Sequence, residues 1–176
     1  IWPHQRTISD TAVSNYPNNL LFCDEVGLGK TIEIGLTLSR LIHTGEVENA
    51  LLLVPAGLVQ QWQDELLNRF NIHAYYYDRA HNGDFLVGPF GGQSDHRIEL
   101  DGWRQADTWS NTPIGGYLHG RDEPTVIIQS WHTARLENNQ PHVAPETDDT
   151  LWDLTVVDEA HSARKKSNGE ETQLYK

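Results

Sequence analysis

The chain of 176 residues carries 13 Lys and Arg against 25 Asp and Glu, a formal charge of −12 with a pI near 5.0. That balance excludes a protein that grips nucleic acid mainly by neutralising phosphates, so this segment alone is expected to bind DNA or RNA weakly. No apolar run approaches the roughly 20 residues that span a bilayer, and the lone Cys23 permits neither an internal disulfide nor a cysteine zinc cluster.

Hydrophobic residues make up 38% and six are Trp, which is globular material of one-domain size. No basic-then-apolar leader opens the chain. A reducing, cytoplasmic setting with no membrane partner is therefore expected, the acidity being a solvated surface or, alternatively, a halophilic trait. The chain begins at Ile1 and contains no Met, which suggests a piece of a longer polypeptide.

Strand-like and helix-like patterns alternate from the N-terminus. Asn19 to Cys23 is a short apolar run that predicts a strand, and it leads through a Gly-containing turn into Lys30–His43, where Ile32, Leu36, Leu38, Leu41 and Ile42 recur at helical spacing. Gly45 is a stop signal. Ala50 to Val54 reads as a strand buried on both faces, as parallel sheets require. After Pro55, helical spacing resumes over Val59–Phe70 through Trp62, Leu66, Leu67 and Phe70. Further strands are predicted at Ile72–Tyr77, Thr125–Gln129 and Leu154–Val157. The alternation predicts an α/β fold, a mostly parallel sheet with helices on both faces. Between Arg79 and Glu123 the rhythm breaks: eight of the 14 Gly fall there, which suggests an inserted excursion with a short helix around Ile98–Trp109. Asn138 to Thr150 reads as a second surface connector.

The most informative string is Asp24-Glu-Val-Gly-Leu-Gly-Lys-Thr31. It keeps the GxGK[ST] part of a phosphate loop, with Asp24 where the first Gly of the full pattern stands, and it lies between a predicted strand and a predicted helix. Gly27, Leu28 and Gly29 would bring backbone N–H groups against phosphate oxygens, aided by the N-terminal end of the following helix. Lys30 would hold the β- and γ-phosphates of a nucleotide, and Thr31 would place its hydroxyl on Mg²⁺. The competing reading is a tight strand-to-helix turn with a surface Lys. Val156-Val-Asp-Glu-Ala-His161 supplies a second centre, an apolar strand delivering two carboxylates to the ligand-binding edge of a sheet. Asp158 would complete the Mg²⁺ shell, directly or through water, while Glu159 would orient and polarise the attacking water. Alone, such a pair is equally an acidic turn; the pairing with Lys30 favours chemistry.

These strings resemble the superfamily-two helicases and, within them, the Swi/Snf-like translocases of double-stranded DNA. Asp24-Glu-Val-Gly-Leu-Gly-Lys-Thr-Ile-Glu33 is similar to that group's phosphate loop, and Asp158-Glu-Ala-His161 to its DEAH motif. Leu52-Leu-Val-Pro55 with Gln61, Trp62 and Glu65 resembles motif Ia. Val126-Ile-Ile-Gln-Ser130 with Ala134 and Arg135 resembles motif Ib, and Trp2-Pro-His-Gln5 the Q motif. Trp152 to His161 is especially similar to the bacterial HepA/RapA branch, ATPases that recycle RNA polymerase.

The resemblance implies an N-terminal RecA-like lobe over residues 1–176, C-terminally incomplete, that works with a second lobe of the same polypeptide. Its cofactors would be ATP and Mg²⁺. Gln5 would read the adenine edge. Pro55, Gly57 and Ser130 would lie along the phosphate backbone of DNA or RNA, unless they are ordinary strand-to-helix connections. His161 would couple the nucleotide to the nucleic-acid face. Arg164-Lys-Lys166 is either a phosphate contact or a solvated run, and Trp62 and Trp131 are read as core packing. RNA polymerase or another protein complex is a possible partner. Two other classes stay open: a non-catalytic, nucleotide-regulated binding module, and a small-molecule P-loop kinase whose lid would use Arg97, Arg104 and Arg121.

Overall fold

A computed structural model of the chain describes residues 1–22, 29–80, 83–89, 97–100, 113–119, 121–135 and 151–160. Helix α1 (Pro3–Asn15) opens on a proline whose fixed φ suits the first helical turn. Helix α2 (Lys30–His43) sends Ile34, Leu38 and Leu41 from one stripe into the core. It ends where Gly45 takes φ 76° and the Glu46 N–H donates to the Leu41 carbonyl at 3.0 Å. Strand β1 (Asn49–Val54) is buried from Ala50 onward on both faces. A short 3₁₀ turn, Ala56–Leu58, leads into α3 (Val59–Phe70), which Asn71 closes at φ 54°. Then come β2 (Ala74–Ala80), β3 (Gly83–Val87), β4 (Arg97–Glu99), α4 (Pro113–His119), β5 (Thr125–Ser130), the single-turn α5 (Trp131–Ala134) and β6 (Leu154–Val157).

Among the described residues six strands form one sheet in the order β4-β3-β2-β5-β1-β6. Strands β2, β5, β1 and β6 run parallel, and β3 and β4 add antiparallel at the β2 edge. Because side chains alternate across a strand, β1 feeds two cores. Ala50, Leu52 and Val54 meet Ile34, Leu38, Trp62 and Leu66 from α2 and α3 on one face. Leu51 and Leu53 meet Tyr117 and Leu118 of α4 and Ala134 of α5 on the other. This is the mostly parallel α/β sheet, helices on both faces, that the alternation of patterns predicts.

Three expectations are corrected. Asn19 to Phe22 is not a strand: Leu21 is 77% exposed and these residues stand across a cavity from β6, so no sheet neighbour orders them. The excursion is in part sheet, because Leu86 and Val87 are buried and β3 pairs with both β2 and β4. Of the expected helix Ile98–Trp109, Ile98 and Glu99 are strand and residues 101–109 lie outside the described residues; a helix, α4, is described at Pro113–His119. The connector at 138–150 also lies outside them. The third strand starts two residues later and ends three later than expected, while α1 and α5 carry no clear apolar period and escape sequence reading.

Candidate functional site

Strands β5, β1 and β6 end at nearly the same level. Val54 of β1 is the register partner of Ser130 in β5, and Leu53 that of Val157 in β6. The Asp158 N–H donates to the Leu53 carbonyl at 2.8 Å, carrying the pairing one residue past β6 and fixing the backbone under the carboxylate. Asp158 Oδ1 accepts from the Glu159 N–H at 2.9 Å, and Oδ2 accepts from the Trp62 indole N–H at 3.0 Å. Glu159 sits at φ 54°, in the left-handed region that non-glycine residues seldom adopt, and the chain turns off the sheet there.

The head of α2 faces the same region. Gly29 stands at φ 93° and ψ 38° as its N-cap, its carbonyl accepting from Ile32 N–H at 2.8 Å. Lys30 and Thr31, both half-buried, form the first turn. A Cβ built on Gly29 would stand 2.5 Å from Gln5 Nε2. Gln5 is buried, and its Oε1 accepts from the Trp2 N–H at 2.9 Å. Glu33, one turn on, is fully buried with His4 Nε2 4.0 Å from Oε1. The first turn of α1 thus leans on the start of the second helix, and further along the pair Arg40, in the last turn of α2, adds a 2.6 Å ion pair to Asp10 and a 3.2 Å hydrogen bond to Ser9.

A cavity of about 690 Å³ lies between residues 17–22, α2 and β6, and Lys30, Asp158 and Glu159 all line it. An ammonium, a metal-competent carboxylate and a potential base therefore border one space at the C-terminal edge of the strands. Among the described residues no cluster of three or more His, Cys, Asp or Glu is placed to cage an ion. One carboxylate and one hydroxyl suit Mg²⁺, which keeps several waters and is usually held together with substrate phosphates. Thr31 does not line the cavity.

The other predicted residues divide. Pro55 and Gly57 follow β1, with open space beside Gly57. Ser130 ends β5, but its hydroxyl caps α5, accepting from Thr133 N–H at 3.0 Å and pairing with Thr133 Oγ1 at 2.9 Å. Gly27, Leu28, His161 and Arg164 to Lys166 lie outside the described residues. Of the arginines weighed for a kinase lid, Arg97 pairs with Asp78 at 3.2 Å and stacks over Phe85, and Arg121 bonds Tyr117 and Glu123. Both fasten the fold locally. Sequence reading misses Gln63, whose buried amide donates to the carbonyls of Ala74 and Val87 at 2.8 and 3.0 Å, and it misses the polar end of Trp62. A buried indole N–H requires an acceptor, but no local spacing tells which.

A mostly parallel sheet with helices on both faces and its candidate site at the strand ends defines a RecA-like α/β lobe. The family model for the SNF2-related domain matches residues 4–174, and the chain belongs to that family, within the Swi/Snf-like superfamily-two helicases. Its relatives lie in the RapA branch. It is 33% identical over 168 residues to RNA polymerase-associated protein RapA of Actinobacillus pleuropneumoniae serotype 3 (strain JL03), covering 94% of this chain and 15% of that protein. It is 30% identical over 159 residues to the RapA protein of Sodalis glossinidius (strain morsitans), covering 90% and 13%. The chain thus spans about one seventh of the length of the curated relatives it matches. Among the described residues no helix is long and apolar enough to cross a membrane.

Proposed function

We propose that the chain is the ATP-binding lobe of a nucleic-acid translocase, acting on double-stranded DNA in concert with a second RecA-like lobe. The observation that carries this reading is the shared cavity: Lys30 at the head of α2 and the Asp158–Glu159 pair at the end of β6 border one space. Lys30 would bind the β- and γ-phosphates, with the N–H groups of Gly27, Leu28 and Gly29 beside it. Thr31 and Asp158 would hold Mg²⁺, which when bound neutralises charge developing on the transferred phosphate. Glu159 would orient a water in line with that phosphate and accept its proton. Gln5, buried against Gly29, would read a base next to the loop.

Pro55 and Gly57 would touch a phosphate backbone through uncharged groups, a mode compatible with the acidity of the chain. The Ser130 hydroxyl, engaged in its cap, is a weaker candidate for the same face. His161 would pass the state of the nucleotide to it. The name of the relatives makes RNA polymerase the first protein partner to test. Glu159→Gln in the full-length protein separates a motor from a scaffold. The variant is expected to bind Mg-ATP with wild-type affinity and to lose nucleic-acid-stimulated turnover by at least about 100-fold, the lower range for general-base catalysis. Unchanged turnover would remove Glu159 from the chemistry.

A further inference from the structure

Trp62 is 3% exposed and belongs to the core between the sheet and the helices α2 and α3. Its ring alone explains that burial, but its donor does not go to a nearby carbonyl. The indole N–H crosses 96 positions of sequence to the Asp158 carboxylate at 3.0 Å. The other oxygen of that carboxylate is taken by the Glu159 N–H at 2.9 Å. Two donors on two oxygens fix both the rotamer and the plane of the group. A carboxylate offers about four lone-pair sites, so two remain for a ligand in the cavity that Asp158 lines. The donor is also neutral. A Lys or Arg in the same place would orient the carboxylate but cancel its charge; an indole orients it and leaves the charge for a cation.

We propose that Trp62 is a positioning residue for Asp158, whose indole N–H presets that carboxylate for divalent metal. The inference rests on the reading of Asp158 as a Mg²⁺ ligand and adds the residue that aims it. Hydrogen bonds of this kind to ligating groups typically change metal affinity by about 10–100-fold when removed.

The test uses the full-length protein and the affinity of a labelled, non-hydrolysable ATP analogue, measured by fluorescence anisotropy in EDTA and in Mg²⁺. Trp62→Phe keeps an aromatic ring and deletes the donor. The expected result is an unchanged affinity in EDTA and a Mg²⁺-dependent gain reduced by roughly tenfold or more. Trp131→Phe, in the other core, should leave both values as in the wild type. Should Trp62→Phe fail to fold, benzothienylalanine at position 62 keeps the shape and replaces N–H by sulfur, and the same loss is expected. A Mg²⁺-dependent gain equal to wild type in either variant overturns the role of Trp62 while leaving the nucleotide site standing. A wild-type protein whose affinity for the analogue ignores Mg²⁺ overturns the metal reading of Asp158, and this inference with it.

Discussion

At Gly29 the backbone takes φ 93°, and a methyl group there would stand 2.5 Å from the Gln5 amide nitrogen. The first condition costs an L-residue about 1–2 kcal/mol, and the second forces Gln5 to move. Gly29→Ala is therefore expected to destabilise the fold by about 1–3 kcal/mol, read by urea denaturation. Because the displaced side chain is the proposed base reader, the same variant should lose preference for ATP over GTP in competition binding. Stability lost without any change in that preference would confine Gln5 to its capping of α1. The importance of Gly29 was legible from the GxGK[ST] string. That its neighbour is a side chain 24 positions earlier was not, because nothing in local spacing reports where α1 lies.

Between elements, α2 and α3 meet closely at Gly35 and Phe70. A Cβ on Gly35 would collide with the Phe70 ring, so glycine here is what lets the helix and the ring meet. In an isolated helix Gly→Ala is worth roughly 1 kcal/mol in favour of Ala, whereas overpacking a core costs about 1–3 kcal/mol. The clash is against a half-buried ring with helix on one side, so the loss is expected to win. Gly35→Ala should lower the thermal midpoint, and Phe70→Leu combined with it should give less than the sum of the two losses. Additive losses in that double-mutant cycle would show that the pair does not touch. At the opposite edge of the sheet, the Asp153 carboxylate accepts from the N–H groups of Glu48 and Asn49 at 2.9 and 2.8 Å, and the Tyr16 hydroxyl donates to the Asp153 carbonyl at 2.9 Å. These bonds set where β1 and β6 start, and hence how far past Leu53 the Asp158 carboxylate stands. Helices α2 and α3 were readable from their helical apolar spacing, and strands β1, β5 and β6 from short apolar, largely β-branched or Leu runs. The antiparallel β3 and β4 were hidden among glycines, and pairing partners decide a short strand more than its own composition does.

For the molecule as a whole, burial leaves a signature at alkaline pH. Burial, the charge of Tyr75 and its hydrogen bond push the Tyr117 hydroxyl up from 10.0 to about 12, against the opposing pull of Arg121. Tyr16 and Tyr76 are raised as well, first by burial and then by the neighbouring carboxylates, Asp153 and Glu46 for one and Asp78 for the other. A folded value above the unfolded one gives stability that is complete below pH 10 and is lost as pH rises toward 12. The thermal midpoint should thus fall across that window, and Tyr117→Phe should flatten the fall. A fall equally steep in the variant would place its cause elsewhere. The proposed division of labour between two lobes gives a further expectation. Arginine fingers are worth about 10³–10⁵ in rate for phosphate-loop enzymes, so the 176 residues alone should bind Mg-ATP weakly and turn it over poorly. Robust nucleic-acid-stimulated hydrolysis by this segment would refute the need for a second lobe.

By itself the sequence determined the layers and the chemical types at the site: helical apolar spacing and short apolar runs are local properties, and so is a glycine-rich turn before a helix. The tertiary structure alone decided which side chains share a space. Lys30 meets Asp158 and Glu159 at one cavity, Gln5 meets Gly29 and Trp62 reaches Asp158 because strand order and register bring distant segments together. Those distances depend on how the sheet is assembled, and no segment of the chain encodes the assembly alone.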